Sequence, residues 1–307
     1  MYRAFVNRLM IAAAALAVSL VPSLPAASSV SSSAALQNLV AQGIAVRVAS
    51  RGVAVQLQHA ATASFENYDP PCVNFTGSCT FGNPNAATTI ALFGDSHAQE
   101  WLPAFVEAFP NVQIRMHWFP ACPAATIRLW TPSTRAYSPK CMAWRASTIH
   151  QLVAAKNTMI VLFEQTGRTF TSPTTLATDA EWSAGLKTTI AALRPSRAKL
   201  VVMGDNPFYI EDPPTCLSRN LRSVNRCTVD ANTVGPAFRN HQRAEERTTI
   251  ASHVPYVATT SWFCTPAGLC PTVIGNTVAY VDASHITVAY AKLLGGVVHQ
   301  AFSRYLD

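Results

Sequence analysis

Ser96, Asp282 and His285 are the residues of this 307-residue chain whose types and order suit nucleophilic acyl chemistry. Ser96 follows the apolar run Thr88-Thr89-Ile90-Ala91-Leu92-Phe93 and the pair Gly94-Asp95. After it, Trp101, Leu102, Phe105, Val106 and Phe109 recur at helical spacing. The serine is thus expected at a strand-to-helix turn that Gly94 makes possible, where free N–H groups and the helix dipole can stabilise an oxyanion. The plain alternative for Asp95-Ser96 is a helix N-cap. Near the other end, Asp282 stands three residues before His285. On one helical turn that spacing sets a carboxylate beside an imidazole, so Asp282 can hold the tautomer of His285 and stabilise its charged form. Ser96 would attack an ester carbonyl while His285 takes its proton and later returns one to the leaving alcohol. Adjacent helix residues point in different directions, so His97 is read as a packing or hydrogen-bonding group rather than the base. Ser284 is read as a cap, and Asp95 as structural, accepting backbone N–H bonds near the turn.

The elements that must position these groups alternate along the chain. Strands are expected at Thr88–Phe93, Gln113–Phe119, Thr158–Glu164, Leu200–Gly204 and Pro255–Thr259. Helices are expected at Ser32–Val48, Ala98–Phe109, Cys141–Ala155, Asp179–Leu193, Gly235–His253 and from Ile286 to about Tyr305. Arg51–Phe81 reads as irregular, and Thr272–Tyr280 as a small hairpin around Gly275-Asn276. This order predicts a three-layer α/β/α sandwich with a central, mostly parallel five-stranded sheet and disulfide-tied loops. Reactive groups in such a sheet gather at the carboxyl ends of the strands, where Ser96 would lie.

Arg3 and Arg8, the apolar run Leu9–Val21 and the small residues Ala26-Ala27-Ser28 together read as a secretory signal peptide. An uncleaved anchor is the alternative, although the run is short for a bilayer span. The chain therefore divides into a signal peptide at 1–27, an N-terminal extension with a disulfide-tied lead-in at 28–83, and an α/β domain at 84–307. The product is expected outside the cytoplasm: periplasmic, in the cell envelope or secreted. Eight cysteines fit that compartment and are read as disulfides; of the 105 possible connectivities the short spacings favour nearest neighbours, Cys72 with Cys79, Cys122 with Cys141, Cys216 with Cys227, and Cys264 with Cys270, without fixing the pairing. No C-x-x-C or H-E-x-x-H spacing occurs, so no metal site is expected.

The formal net charge is +7, of which Arg3 and Arg8 supply two, a modest basic balance that suits an anionic envelope polymer as neighbour. Arg239, Arg243 and Arg247 form a helical stripe with Glu245 and Glu246 between them, read as a solvated face. No aromatic-interleaved basic motif accompanies it, so nucleic acid is not expected as a partner. Asn74-Phe75-Thr76 matches a glycosylation acceptor and is read as chance.

A Gly-Asp-Ser block early and an Asp-x-x-His block late follow the order of SGNH (GDSL-type) hydrolases. Gly94-Asp95-Ser96-His97-Ala98 with Trp101-Leu102-Pro103-Ala104 more closely resembles the SGNH domain fused to membrane acyltransferase-3 proteins, which O-acylate bacterial surface glycans. Ala121-Cys122-Pro123, Cys141-Met142-Ala143-Trp144-Arg145, Gly204-Asp205-Asn206-Pro207 and Cys216-Leu217-Ser218 agree, so the resemblance runs from about Cys72 to about Val298. It implies an SGNH-hydrolase-like fold and an exported serine esterase or O-acyltransferase working through a Ser96 acyl-enzyme. The expected substrate is an ester, usually O-acetyl, on cell-envelope polysaccharide or glycan. The implied partner is a separate membrane acyltransferase as acyl donor, with no cofactor.

The chain departs from the superfamily at the oxyanion hole. A glycine is expected after the second strand and an asparagine after the third, where this sequence has Phe119-Pro120-Ala121-Cys122 and Glu164-Gln165-Thr166. The candidate donors become the Ser96 N–H, a backbone N–H near Ala121, and the side-chain amide of Gln165 or Asn206, the last two with an ordinary loop role as their plain alternative. That departure sustains a second hypothesis, a catalytically weak or inert SGNH-fold module that binds glycan or assists a membrane acyltransferase. A purely structural envelope protein is a third.

Overall fold

A central sheet has six strands: β1 (Cys79–Gly82), β2 (Thr89–Gly94), β3 (Gln113–Trp118), β4 (Met159–Leu162), β5 (Lys199–Met203) and β6 (Tyr256–Val257), with short apolar runs at β2, β4 and β5. The computed structural model describes residues 29–60, 63–64, 79–131, 134–165, 169–232 and 236–306. The spatial order is β1-β3-β2-β4-β5-β6. Strands β2 to β6 are the five parallel strands anticipated from the sequence. Strand β1 adds an antiparallel edge against β3. It lies in the stretch read as irregular, because its four residues alternate between partly and fully exposed and carry no apolar run.

Helices α1 (Ser33–Ala45), α2 (Arg51–Gln58), α3 (Ser96–Ala108), α4 (Pro139–Ala154), α5 (Asp179–Leu193), α6 (Pro213–Arg219), α7 (Pro236–Ala251), α8 (Val288–Leu293) and α9 (Gly295–Phe302) complete the fold. Side chains alternate across β2, which is buried on both faces. Ile90 and Leu92 enter one core with Phe105 of α3, Tyr290 of α8 and Val297 of α9. Ala91 and Phe93 enter the other with Leu152 of α4 and with Trp182 and Leu186 of α5. Each such side chain fully withdrawn from water contributes about 1.5–3 kcal/mol. Leu36 and Val40 of α1 join the first core, so the N-terminal extension packs directly on the α/β body.

Two sequence expectations change here. Residues 51–58 form α2, capped by the Ser50 hydroxyl, where irregular chain was expected. The single last helix is two, because α8 stops at Leu293 and Gly295-Gly296 disfavour continuous helix, and Ile286 lies before it, bridged to Tyr280. The hairpin is present as β7 (Val273–Ile274) and β8 (Thr277–Val278), with Gly275 at φ 57° and Asn276 at φ 61°, the left-handed pair that a two-residue turn uses.

Among the described residues, three disulfides join Cys122 to Cys141, Cys216 to Cys227, and Cys264 to Cys270. Cys72, and with it the Cys72–Cys79 expectation, lies outside the described residues, as do the leader and Asn74. Among the described residues no helix is long and apolar enough to cross a membrane, and no group of three or more His, Cys, Asp or Glu side chains could hold a metal ion.

Candidate active site

Strand β2 delivers Ser96 to the carboxyl edge of the sheet as the first residue of α3. Gly94 is required here for a different reason from the turn expected of it. Its φ is not positive, but a Cβ on it would stand 2.3 Å from the Phe163 carbonyl oxygen, so only glycine lets β2 end this close to the chain leaving β4. Asp95 is the N-cap of α3: its Oδ1 accepts from the His97 N–H at 2.9 Å and its Oδ2 from the Gln165 N–H at 2.8 Å. One carboxyl therefore ties the Ser96 turn to the loop after β4. Burial pushes the Asp95 carboxyl up, against the charge of His97 and those two N–H bonds.

His285 reaches Ser96 from 189 residues away, with Nε2 at 2.8 Å from Oγ. Its Nδ1 lies 2.7 Å from Asp282 Oδ2. The Asp-x-x-His spacing works without the helical turn that was expected. Residues 281–285 are a loop in which Asp282 Oδ1 accepts from the Ser284 N–H at 2.7 Å and the His285 N–H at 2.8 Å. Ser284 is correspondingly not a helix cap: Thr287 caps α8, and Ser284 Oγ lies 3.3 Å from Asp282 Oδ1. Burial would raise the Asp282 carboxyl, but the bond to His285, its charge and the two N–H groups outweigh it and hold that carboxyl below the usual range. Asp282 therefore stays ionised behind His285, whose side chain is only 18% exposed.

The loop carrying His285 is pinned from two sides. Glu100, one turn after Ser96 and fully buried, accepts from the Ile286 N–H through Oε2 at 2.6 Å. Asn206, buried in the loop after β5, donates through Nδ2 to the Ser284 carbonyl at 2.6 Å. Beside the line from Asp282 to Ser96, His97 Nδ1 lies 2.6 Å from Asp205 Oδ1, and the His97 ring stands 4.8 Å from that of His285. Burial alone would lower the His97 pKa, but Asp205, Glu100 and Asp95 override it and push it up to about 10. His97 is thus a buried imidazolium bonded to Asp205, whose Oδ1 also takes the Asn206 N–H at 2.9 Å.

The oxyanion candidates sort by strand. Ser96, Ala121 and Gln165 follow β2, β3 and β4, three neighbours in the sheet. Ala121 is exposed and adopts φ 52°, the left-handed conformation a glycine would favour, so the turn persists without the glycine. Its loop is fixed by buried Arg145, which donates to the Pro123 carbonyl at 2.9 Å and the Ile127 carbonyl at 3.1 Å. Gln165 Nε2 lies 3.4 Å from Ser284 Oγ. Asn206 follows β5, one strand further out, and uses its amide on the Ser284 carbonyl. Glu100 and the pairing of Asp205 with His97 were not singled out in the sequence. A Glu one turn after Ser96, inside an otherwise apolar helix face, was the signal available.

A family model described as "SGNH domain (fused to AT3 domains)" matches residues 17–300. The chain belongs to this SGNH domain family. Among solved structures, the periplasmic domain of a lipopolysaccharide acetyltransferase from Salmonella ser. Paratyphi A is similar to this SGNH domain. The TM-score is 0.57 at 14% identity, over 87% of this chain and 92% of that one. The carbohydrate acetylesterase Est24 from Sinorhizobium meliloti aligns at TM-score 0.46 and 11% identity, over 71% of this chain and 99% of its own. A mutant of Axe2, an acetyl-xylooligosaccharide esterase from Geobacillus, gives 0.42 and 13%, over 72% and 95%. Among curated protein sequences, none matches this chain.

Proposed function

We propose that this SGNH domain is a serine-dependent O-acyl esterase or O-acyltransferase acting on acylated, chiefly O-acetylated, carbohydrate of the cell envelope. The observation that carries the reading is the continuous line from Asp282 Oδ2 to His285 Nδ1 at 2.7 Å and from His285 Nε2 to Ser96 Oγ at 2.8 Å. Nucleophile, base and orienting group within hydrogen-bond reach are what covalent acyl transfer requires.

Ser96 Oγ attacks the ester carbonyl carbon as its proton passes to His285 Nε2. The tetrahedral oxyanion is met by the Ser96 N–H at the start of α3, by the backbone N–H at Ala121 and by the Gln165 amide. Collapse breaks the bond to the sugar oxygen, which leaves with the proton from His285. The acyl group then stays on Ser96 as an ester. Water activated by the same His285 releases the free acid; a second sugar hydroxyl in its place receives the acyl group. The family's association with acyltransferase domains and the fold shared with an acetyltransferase periplasmic domain support transfer as a use of the same intermediate. The leader pattern and three disulfides support an exported, oxidising setting, which is where envelope glycans are met.

Intact mass after treatment with a fluorophosphonate tests the reading. One adduct is expected on the folded protein, absent in Ser96→Ala and in His285→Ala. Folded protein that takes no adduct refutes the enzyme and leaves a glycan-binding module. Acetylated oligosaccharide supplied with and without an acceptor sugar then separates free acetate from transferred ester.

A further inference from the structure

A second feature lies along the same edge of the sheet. The loop after β5, the residues after β6 and one face of α7 enclose a cavity of about 220 Å³. Asp205 and Pro207 line it, while Asn206 between them turns the other way to hold the Ser284 carbonyl. The cavity and the loop of His285 therefore share one wall. Strands β5 and β6 lie two and three places from β2, so the cavity stands roughly 10–15 Å along the edge from Ser96 at the usual strand spacing.

Arg239 and Arg243, one helical turn apart on α7, both line this cavity. Arg239 is anchored by Nη1 to Asn232 Oδ1 at 3.2 Å, and its Nε is shielded from solvent with no hydrogen-bond partner among the described residues. Neither guanidinium pairs with a carboxylate among the described residues. Two unpaired guanidiniums side by side repel, and a shielded N–H without an acceptor costs free energy, so the arrangement is incomplete without an anion. Planar guanidinium forks match a carboxylate bidentately. Asp205 is engaged by His97 and the Asn206 N–H, so the two guanidiniums face one further carboxylate, Glu246, on the same wall; the excess of one positive charge suits a monoanion better than a dianionic phosphate, and Glu246 offers an acceptor to hydroxyls. Phe208 and Tyr256 supply apolar ring surface for a sugar face.

We propose that this cavity is a second carbohydrate subsite that takes a carboxylate-bearing sugar unit of the polymer whose ester is presented to Ser96. The inference rests on the catalytic reading for its link to Ser96, but its binding chemistry is tested apart from it. In this arrangement the arginines choose an acidic polysaccharide over a neutral one and set which unit along the chain meets the nucleophile. They are specificity residues and touch no reacting atom.

The test is calorimetric titration of Ser96→Ala protein with trigalacturonate and with neutral xylotriose. Trigalacturonate is expected to bind at least about tenfold more tightly, with the preference falling as salt is raised. Arg239→Gln combined with Arg243→Gln is expected to erase the preference, and Arg243→Lys to keep most of it. Arg243 is exposed, so Arg243→Gln alone carries the test if the double variant does not fold. Equal affinity for the two sugars, no binding of either, or a preference untouched by the glutamine substitutions overturns the subsite. A fluorophosphonate adduct on Ser96 in the wild type is read independently, so loss of the catalytic reading and loss of the subsite are told apart.

Discussion

Replacing Asn206 by alanine separates two jobs that an asparagine at this edge could do. Its Nδ2 donates to the Ser284 carbonyl at 2.6 Å, and Asn206 is 1% exposed, so alanine leaves a carbonyl of the His285 loop without its donor. Losing one partner of a buried hydrogen bond costs about 1–3 kcal/mol. For a chain of this size, each kcal/mol lowers the melting temperature by roughly 2–4 °C. The reaction suffers only through a looser His285, because Glu100 still holds the Ile286 N–H from the other side. A fall of about tenfold in kcat follows, well short of the roughly 100-fold to 1000-fold seen when an oxyanion donor is removed. Thermal unfolding and turnover of an activated acetyl ester, measured on the same preparation, decide the matter. An unchanged melting temperature with a kcat loss of about 100-fold or more would place Asn206 in the oxyanion hole and refute the positioning argument.

Asp282→Asn is expected to lower kcat by about 100-fold to 1000-fold, less than the ~10,000-fold known for a buried triad aspartate, because half of the Asp282 side chain meets water; steady-state rates on the same ester check this. His97, pushed up to about 10 from its ordinary ~6.5, contributes stability that is fully present below pH ~6.5 and is lost as pH rises toward 10. The stability difference between wild type and His97→Gln in urea unfolding should therefore shrink from pH 6 to pH 10; a difference that grows with pH contradicts the buried ion pair. Arg145→Met should destabilise the protein by about 3 kcal/mol or more, since the Pro123 and Ile127 carbonyls lose their buried donor. If the Ala121 loop contributes an oxyanion donor, kcat on the activated ester falls in that variant as well.

Strands β2, β4 and β5 were legible because each is a short apolar run buried on both faces, and β3 because its burial alternates residue by residue, signals that need no tertiary information. Strand β1 and helix α2 were not, because β1 is an exposed edge that draws its ladder from β3. Helix α2 is a short polar segment in which Val53 is the one buried residue, tied down by its cap and by contact with the β7–β8 hairpin. Ser96, Asp282 and His285, which the structure brings into one hydrogen-bonded line, stood out in the sequence as two blocks in order. The local shape of the second block did not. Spacing of three suits a helical turn and equally an Asp side chain folding back onto the N–H groups two and three residues on, and the residues alone do not choose between them.

The first block does more than present Ser96. Asp95 takes the N–H of Gln165 from the loop after β4, His97 binds Asp205 from the loop after β5, and Glu100 takes the N–H of Ile286 beside the histidine. Six consecutive residues at the start of α3 thus hold three loops that share no element with it. Each bond is buried or nearly so, where an unmet partner costs more than the bond itself contributes. Ser96 is therefore aligned with His285 through the same turn that carries it, and no single loop can drift without exposing a charged or hydrogen-bonding group of that turn. This predicts that Glu100→Ala, although the Glu100 side chain bonds the Ile286 N–H rather than Ser96, lowers both melting temperature and fluorophosphonate labelling of Ser96. Glu100→Gln keeps an acceptor for the Ile286 N–H and should restore most of both. A Glu100→Ala protein that labels at the wild-type rate would show that the base finds its place without this turn.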